Sequence, residues 1–151
     1  MICTKTYSIE IDAPREVIWK LLVGRDSFGK WCEPFSPRPL FYEGEWALGQ
    51  EIKYLTTTKE GLRVGTIGTI DEYVPNSHSR CTFSGVVENG QETRGGDSEW
   101  IGTREQYDLT GDSAPYTLTV VGDFTDDMVD FFDDTWPKAL QALKALAESA
   151  S

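Results

Sequence analysis

The feature that most constrains this chain is one long amphipathic stretch at its C-terminal end, preceded by a long tract of β-like text. From Thr125 to about Glu148, the apolar positions Val129, Phe132, Trp136, Leu140, Leu143 and Ala147 recur at three- and four-residue steps, which is the spacing of one helix face. Thr125 is expected to cap the helix, with Asp126 and Asp127 at its positive end. Pro137 removes one internal hydrogen bond and should kink the helix near Asp133. From Phe41 to Asp123 the pattern is instead short β-prone runs split by Gly, Asn, Asp and Pro. Strands are expected near 40–47, 50–57, 62–74, 79–88, 98–109 and 115–123. An apolar helical stripe of this length must be buried, and one face of an antiparallel sheet is the partner the chain offers.

The N-terminal part completes the element order. Residues 3–12 alternate as a strand with Tyr7, Ile9 and Ile11 on one face. Asp12 or Ala13 is expected at the N-cap of a helix whose first turn holds Pro14 and whose apolar positions are Val17, Ile18, Leu21 and Leu22. Gly24 ends it, and a second short helix is expected over Arg25 to Trp31, before the turn-prone stretch from Cys32 to Pro39. The fold class is therefore α+β: a seven-stranded antiparallel sheet with two short helices after strand 1 and a long C-terminal helix. The 151 residues carry no linker, repeat or low-complexity tract, so one domain over 1–151 is expected. Strongly curved sheets of this kind often leave a hollow between sheet and helix.

Several of these stretches carry a family likeness. Ile9-Glu-Ile-Asp-Ala-Pro14 with Val17-Ile-Trp19, Phe28-Gly-Lys-Trp31, Gly44-Glu-Trp46 with Gly49, and Trp136-Pro-Lys-Ala-Leu140-Gln-Ala-Leu-Lys144 together resemble the START-like superfamily, also called SRPBCC or birch-pollen-allergen-like. Within it the sequence is most similar to the branch related to activators of the heat-shock chaperone ATPase. The resemblance spans nearly the whole chain and implies the helix-grip fold, a sheet wrapped around the C-terminal helix with a cavity between. It leaves the activity open, because the superfamily includes lipid carriers, hormone receptors, polyketide cyclases and aromatase-like proteins, co-chaperone domains and uncharacterised bacterial proteins.

Strand alternation assigns the residues that face such a cavity. In the last strand Tyr116, Leu118 and Val120 point in, and Thr117, Thr119 and Asp123 point out. In the strand before it, Ile101, Tyr107 and Leu109 share parity with Glu105, so this carboxyl is expected among apolar groups. It must then be paired, with Arg104, Arg63 or Lys53, or turned outward by a bulge, or be protonated with a raised pKa. Functionally it is a candidate ligand anchor or general acid–base group. Phe83 with Cys81, and Tyr54 with Ile52, are further inward pairs, and Tyr54 and Tyr107 offer hydroxyls for a ligand's polar end. Trp31 and Phe35 fall where the helix-grip arrangement puts the cavity entrance, and Phe132 and Trp136 lie on the helix stripe. The expected ligand-binding set is Trp31, Phe35, Tyr54, Phe83, Glu105, Tyr107, Leu118, Phe132 and Trp136.

Other chemistries are poorly served by the residues. With 14 Lys+Arg against 25 Asp+Glu and a net charge of −11, neither nucleic acid nor an anionic membrane surface is an expected partner. A single histidine, His78, rules out multi-His metal sites; placed after Pro75-Asn76-Ser77, it reads as an exposed turn residue. Asp123, Asp126, Asp127, Asp130, Asp133 and Asp134 lack the glycine-bearing spacing of a calcium loop, and an Asp134–Lys138 pair on a solvated face is expected instead. Residues 65–68 lack a phosphate-loop lysine, and Glu88 to Asp97 reads as too long for a tight hairpin, hence a loop over one cavity end or a plain connection. No cofactor or metal is expected. Cys3, Cys32 and Cys81 form no CxxC pair and read as reduced, mostly buried thiols of a cytoplasmic protein, with no signal segment and no apolar run near ~20 residues.

The function that follows is binding of a small hydrophobic or aromatic molecule, in a protein that could also form a homodimer. Two alternatives stand beside it: a cyclase- or aromatase-type enzyme using Glu105 with a tyrosine, and a protein-interaction module of the chaperone-activator kind.

Overall fold

The computed structural model of the protein describes residues 1–150. Its elements are β1 (Ile2–Ile11), α1 (Arg15–Val23), α2 (Arg25–Trp31), a 3-10 turn (Glu33–Phe35), β2 (Phe41–Gly44), β3 (Glu51–Thr57), β4 (Arg63–Val74), β5 (His78–Glu88), β6 (Gln91–Arg94), β7 (Arg104–Thr110), β8 (Tyr116–Thr125), a second 3-10 turn (Asp126–Met128) and α3 (Val129–Ala150). The strands form one antiparallel sheet in the order β1-β8-β7-β5-β4-β3-β2, with β6 paired to β5 beside that path. This is the helix-grip arrangement: an open antiparallel sheet, two short helices after the first strand and the long helix α3 against the concave face. None of the helices is long and apolar enough to cross a membrane.

Three local readings differ from expectation. The segment after Glu88 is a tight hairpin, because Asn89 (φ 51°) and Gly90 (φ 81°) both take the left-handed conformation of a two-residue turn. Glu88 then faces Gln91 and Gly85 faces Arg94 across β5 and β6, which adds an eighth, fully exposed strand to the seven-stranded path. Residues 98–103 are turn rather than strand, so β7 begins only at Arg104. At the helix starts, Pro14 itself is the N-cap of α1, and Thr125 leads first into the 3-10 turn, without a side-chain cap in either place.

The sheet owes part of its curvature to β4, where the register with β5 shifts between Ile67 and Gly68 and again between Ile70 and Glu72. Such bulges bend a strand and raise its twist. Gly68 permits the close approach that results: a Cβ there would lie 2.4 Å from Cys81 Sγ and 3.2 Å from Phe83 Cδ1. Against the concave face pack Ile18, Trp19 and Leu22 of α1, Phe28 and Trp31 of α2, and Trp136, Ala139, Leu140, Leu143 and Ala147 of α3, all buried. The helix runs through Pro137 to Ala150. A smaller cluster of Leu55, Ile67 and Val87, with Phe41 packed on it, forms a second core.

A polar clamp ties α1 to two strand turns. The Arg15 guanidinium donates from Nη1 to the carbonyls of Asn76 (2.8 Å) and Leu109 (2.7 Å) and from Nη2 to that of Gly111 (2.7 Å). The same group lies over the Tyr116 ring, 4.7 Å from its centroid.

Candidate functional site

A pocket of about 330 Å³ opens between the sheet and the helices, at the small end of the roughly 300–1,000 Å³ usual for small-molecule sites. Alternation brings Tyr54 of β3, Phe83 of β5 and Glu105 and Tyr107 of β7 to one wall. The other is made by Trp31, by Phe35 of the first 3-10 turn, and by Phe132 and Trp136 of α3. Eight of the nine residues singled out from sequence thus share one pocket. Leu118 does not: it is fully buried in the main core, opposite Ile9 and Leu109 in the register, and is not among the residues that line the pocket. Trp31 is also fully buried and donates its indole N–H to the Leu22 carbonyl (3.2 Å), so it is a wall and not an entrance residue. Phe35 is half-buried, edge-on to Trp136 at 4.8 Å.

The pocket is largely a box of rings. Phe28 stacks with Tyr54 at 5.7 Å, Phe83 with Trp100 at 4.7 Å, and Trp136 meets Trp31 at 6.0 Å and Tyr107 at 6.2 Å. Trp100 was legible only as an aromatic, not as a wall residue, because the strand expected over 98–109 gave it the wrong backbone. The turn instead folds it onto Phe83, held by Gly102 N–H to the Phe83 carbonyl (2.9 Å) and Phe83 N–H to the Thr103 carbonyl (2.8 Å). Arg104 and Asp123 also reach the wall, although Asp123 was expected to point away. Its carboxylate accepts from Thr4 Oγ1 (2.7 Å) and from the Arg104 backbone N–H (3.1 Å), and lies 3.7 Å from Arg104 Nε.

Glu105 faces the pocket, and its one hydrogen bond comes from the Tyr107 hydroxyl at 2.5 Å. The cations that the sequence offers it are all engaged elsewhere: Arg104 with Asp123, Arg63 with Glu43 and Glu92, and Lys53 with Glu92. Its cross-strand neighbours are Cys81 and Gly122, which bring no charge. Burial therefore drives its pKa up, and the Tyr107 bond pulls it back only in part. Burial likewise raises the phenols of Tyr54 and Tyr107 and the thiols of Cys32 and Cys81, with the nearby Glu105 carboxyl adding to each.

Three of the five indoles find acceptors: Trp31 on Leu22, Trp19 on the Tyr73 hydroxyl (3.0 Å) and Trp46 on Ser79 Oγ (2.9 Å). The buried N–H groups of Trp100 and Trp136, both in the pocket wall, have none among the described residues. Leaving such a donor unpaired costs about 1–3 kcal/mol.

Outside the pocket, His78 is not an exposed turn residue. It opens β5 half-buried, with Nδ1 2.6 Å from Asp108 and Nε2 2.7 Å from Glu72. Burial alone would lower its pKa, but the two carboxylates more than reverse this and the net shift is upward. Sequence proximity could not reveal this, because its partners lie on β7 and on β4. The acidic start of α3 is a partly paired surface, with Asp134 bonded to Lys138 (3.1 Å) and Asp133 accepting from the Tyr7 hydroxyl (2.7 Å). All three cysteines are free.

No protein-family model matches the chain, and no curated protein matches it in sequence. Solved structures share its fold. One is protein Ms6760 from Mycobacterium smegmatis, 16% identical over 98% of this chain and 92% of that one, with a TM-score of 0.73. Another is a protein from Arthrobacter aurescens, also 16% identical, over 97% and 86%, with a TM-score of 0.73. A third is Aha1 from Colwellia psychrerythraea, solved as a dimer, 20% identical over 97% and 96%, with a TM-score of 0.64. At these identities the likeness is one of fold alone.

Proposed function

We propose that this chain is a START-like protein that binds a small apolar, aromatic molecule in the pocket between the curved sheet and α3. The observation that carries the reading is the composition of that pocket: a box of aromatic rings around one carboxyl that no cation among the described residues offsets. An apolar guest removes ring surface from water at about 25 cal/mol per Å².

Titration with a neutral naphthyl dye, followed by quenching of the tryptophan emission, tests this. Saturable one-site binding is expected, and it should be lost when Thr66, which lines the pocket, is replaced in Thr66→Trp to fill the space. Absence of saturation, or undiminished binding by the filled variant, would sink the idea.

The Tyr107–Glu105 hydrogen bond favours a second reading, an enzyme of cyclase or aromatase type in which this pair transfers a proton while the pocket folds the substrate. Mass spectrometry of a bound compound after prolonged incubation separates the two. A carrier returns it unchanged, and an enzyme does not.

A further inference from the structure

The polar inventory of the pocket narrows the chemistry of its guest. Two of the charged groups in the wall, Arg104 and Asp123, lie against each other at 3.7 Å. That leaves Glu105 in surplus, accepting one hydrogen bond from Tyr107 and paired with no cation among the described residues. Around it stand the rings of Trp31, Tyr54, Phe83 and Trp136, whose electron-rich faces attract cations, the more so when water is excluded. A carboxylate within an aromatic box is the complement of an organic ammonium group. Once ionised it repels another carboxylate, and a neutral guest makes no use of its charge.

Resting on the pocket reading above, we propose that the guest is an aromatic amine: a flat apolar body held by the rings, with a protonated nitrogen paired to Glu105. The net charge of −11 adds a long-range attraction for cations, and Asp126 and Asp127 of the second 3-10 turn and Asp130 at the start of α3 are exposed beside the helix that forms one wall.

Binding then has a proton signature. In the empty pocket burial keeps the Glu105 proton on to higher pH than for a free carboxyl. When the ammonium arrives, that proton leaves to solvent and the carboxylate pairs with the cation, so affinity rises with pH until Glu105 is ionised without help. The titratable groups that interact with Glu105 are Tyr107 on its own strand, Cys81 on β5, Tyr54 on β3 and Cys32 at the end of α2, and the other charged groups lining the pocket are Arg104 and Asp123. The thiols and phenols among them keep their protons through the neutral range, and Arg104 and Asp123 are paired with each other. Glu105 is thus the group that sets the pH response.

Three probes on one skeleton test the proposal: naphthylmethylamine, naphthylmethanol and naphthoic acid, titrated calorimetrically into the wild-type protein and into Glu105→Gln. The amine is expected to bind about tenfold or more tighter than the alcohol, and the acid weakest. That advantage should vanish in Glu105→Gln. In the wild-type protein the amine's affinity should rise between about pH 5 and pH 8 with release of a proton, while the alcohol's stays level. The pH series needs no variant, so it decides the matter even if Glu105→Gln folds poorly. If the alcohol binds as tightly as the amine and neither responds to pH, the amine assignment is overturned while the pocket reading stands. If none of the three binds, the pocket reading fails and the assignment with it.

Discussion

Glu105 works against the stability of the protein that holds it. Its pKa is raised by burial, and a group whose folded-state pKa lies above its unfolded value contributes stability only while protonated, losing it as pH rises through the folded value. Replacing it in Glu105→Gln keeps the shape and the acceptor for the Tyr107 hydroxyl but removes the ionisation. The variant is therefore expected to match the wild type in thermal unfolding near pH 4 and to melt a few degrees higher near pH 7.5; a variant less stable at both would mean that the carboxylate is structural. His78 obeys the same rule with the opposite charge change. Its raised pKa means that the pairing with Asp108 and Glu72 stabilises the fold fully below the unfolded value and fades as pH climbs through the folded one. His78→Gln is expected to cost about 1 kcal/mol at pH 6, since the pairs are only half-buried. It should cost less at pH 9, so urea midpoints across that range would show a shallower pH slope than in the wild type.

At the scale of elements, β5 pairs directly with β7, and what ties α1 to the turns at that end of the sheet is one guanidinium. Arg15 satisfies two turn carbonyls, Asn76 and Gly111, and that of Leu109 near the end of β7 at once, a fork geometry that an ammonium cannot reproduce. Arg15→Lys keeps the charge and is expected to lower the unfolding free energy by about 2 kcal/mol, read from denaturant midpoints with an unchanged m-value; an effect under about 0.5 kcal/mol would reduce the clamp to a surface contact. Arg15 also marks the limit of what local sequence conveys. Periodicity located α3, α1 and five of the long strands, because each depends on spacing within its own residues. Parity within β7 set Glu105 inward, and parity within β3 and β5 did the same for Tyr54 and Phe83. The Asn89-Gly90 turn was present in the sequence as a hairpin signal, yet the polar residues of β6, exposed on both faces, offered no alternation to draw attention to it. Trp100 and the partners of His78 depend on contacts between elements, and Leu118 on how far along the sheet the hollow extends. No residue spacing encodes either.

Taken as a whole, the molecule has a solid half and a hollow half, and α3 belongs to both. Its C-terminal part buries Leu140, Leu143 and Ala147 against α1 and the β1–β8 end of the sheet, where Leu118 and Ile11 are fully enclosed. Its N-terminal part carries Phe131, Phe132 and Trp136 over the pocket, and there Phe131 is 40% exposed. A cavity wall lacks packing partners on one side and forfeits their dispersion contacts, so the hollow half is expected to open locally at lower cost than the solid one. A guest that binds only the folded state supplies those contacts. At a hundredfold excess over its Kd it should stabilise the fold by about 2.7 kcal/mol, raising Tm by roughly 5–10 °C. Amide exchange should locate the effect. Protection is expected to increase in α2, in the turn around Trp100 and in the first two turns of α3, with little change around Leu143 and in α1. Uniform protection throughout would mean that the two halves open as one unit, and added protection confined to α1 and the β1–β8 edge would place the guest outside the pocket altogether.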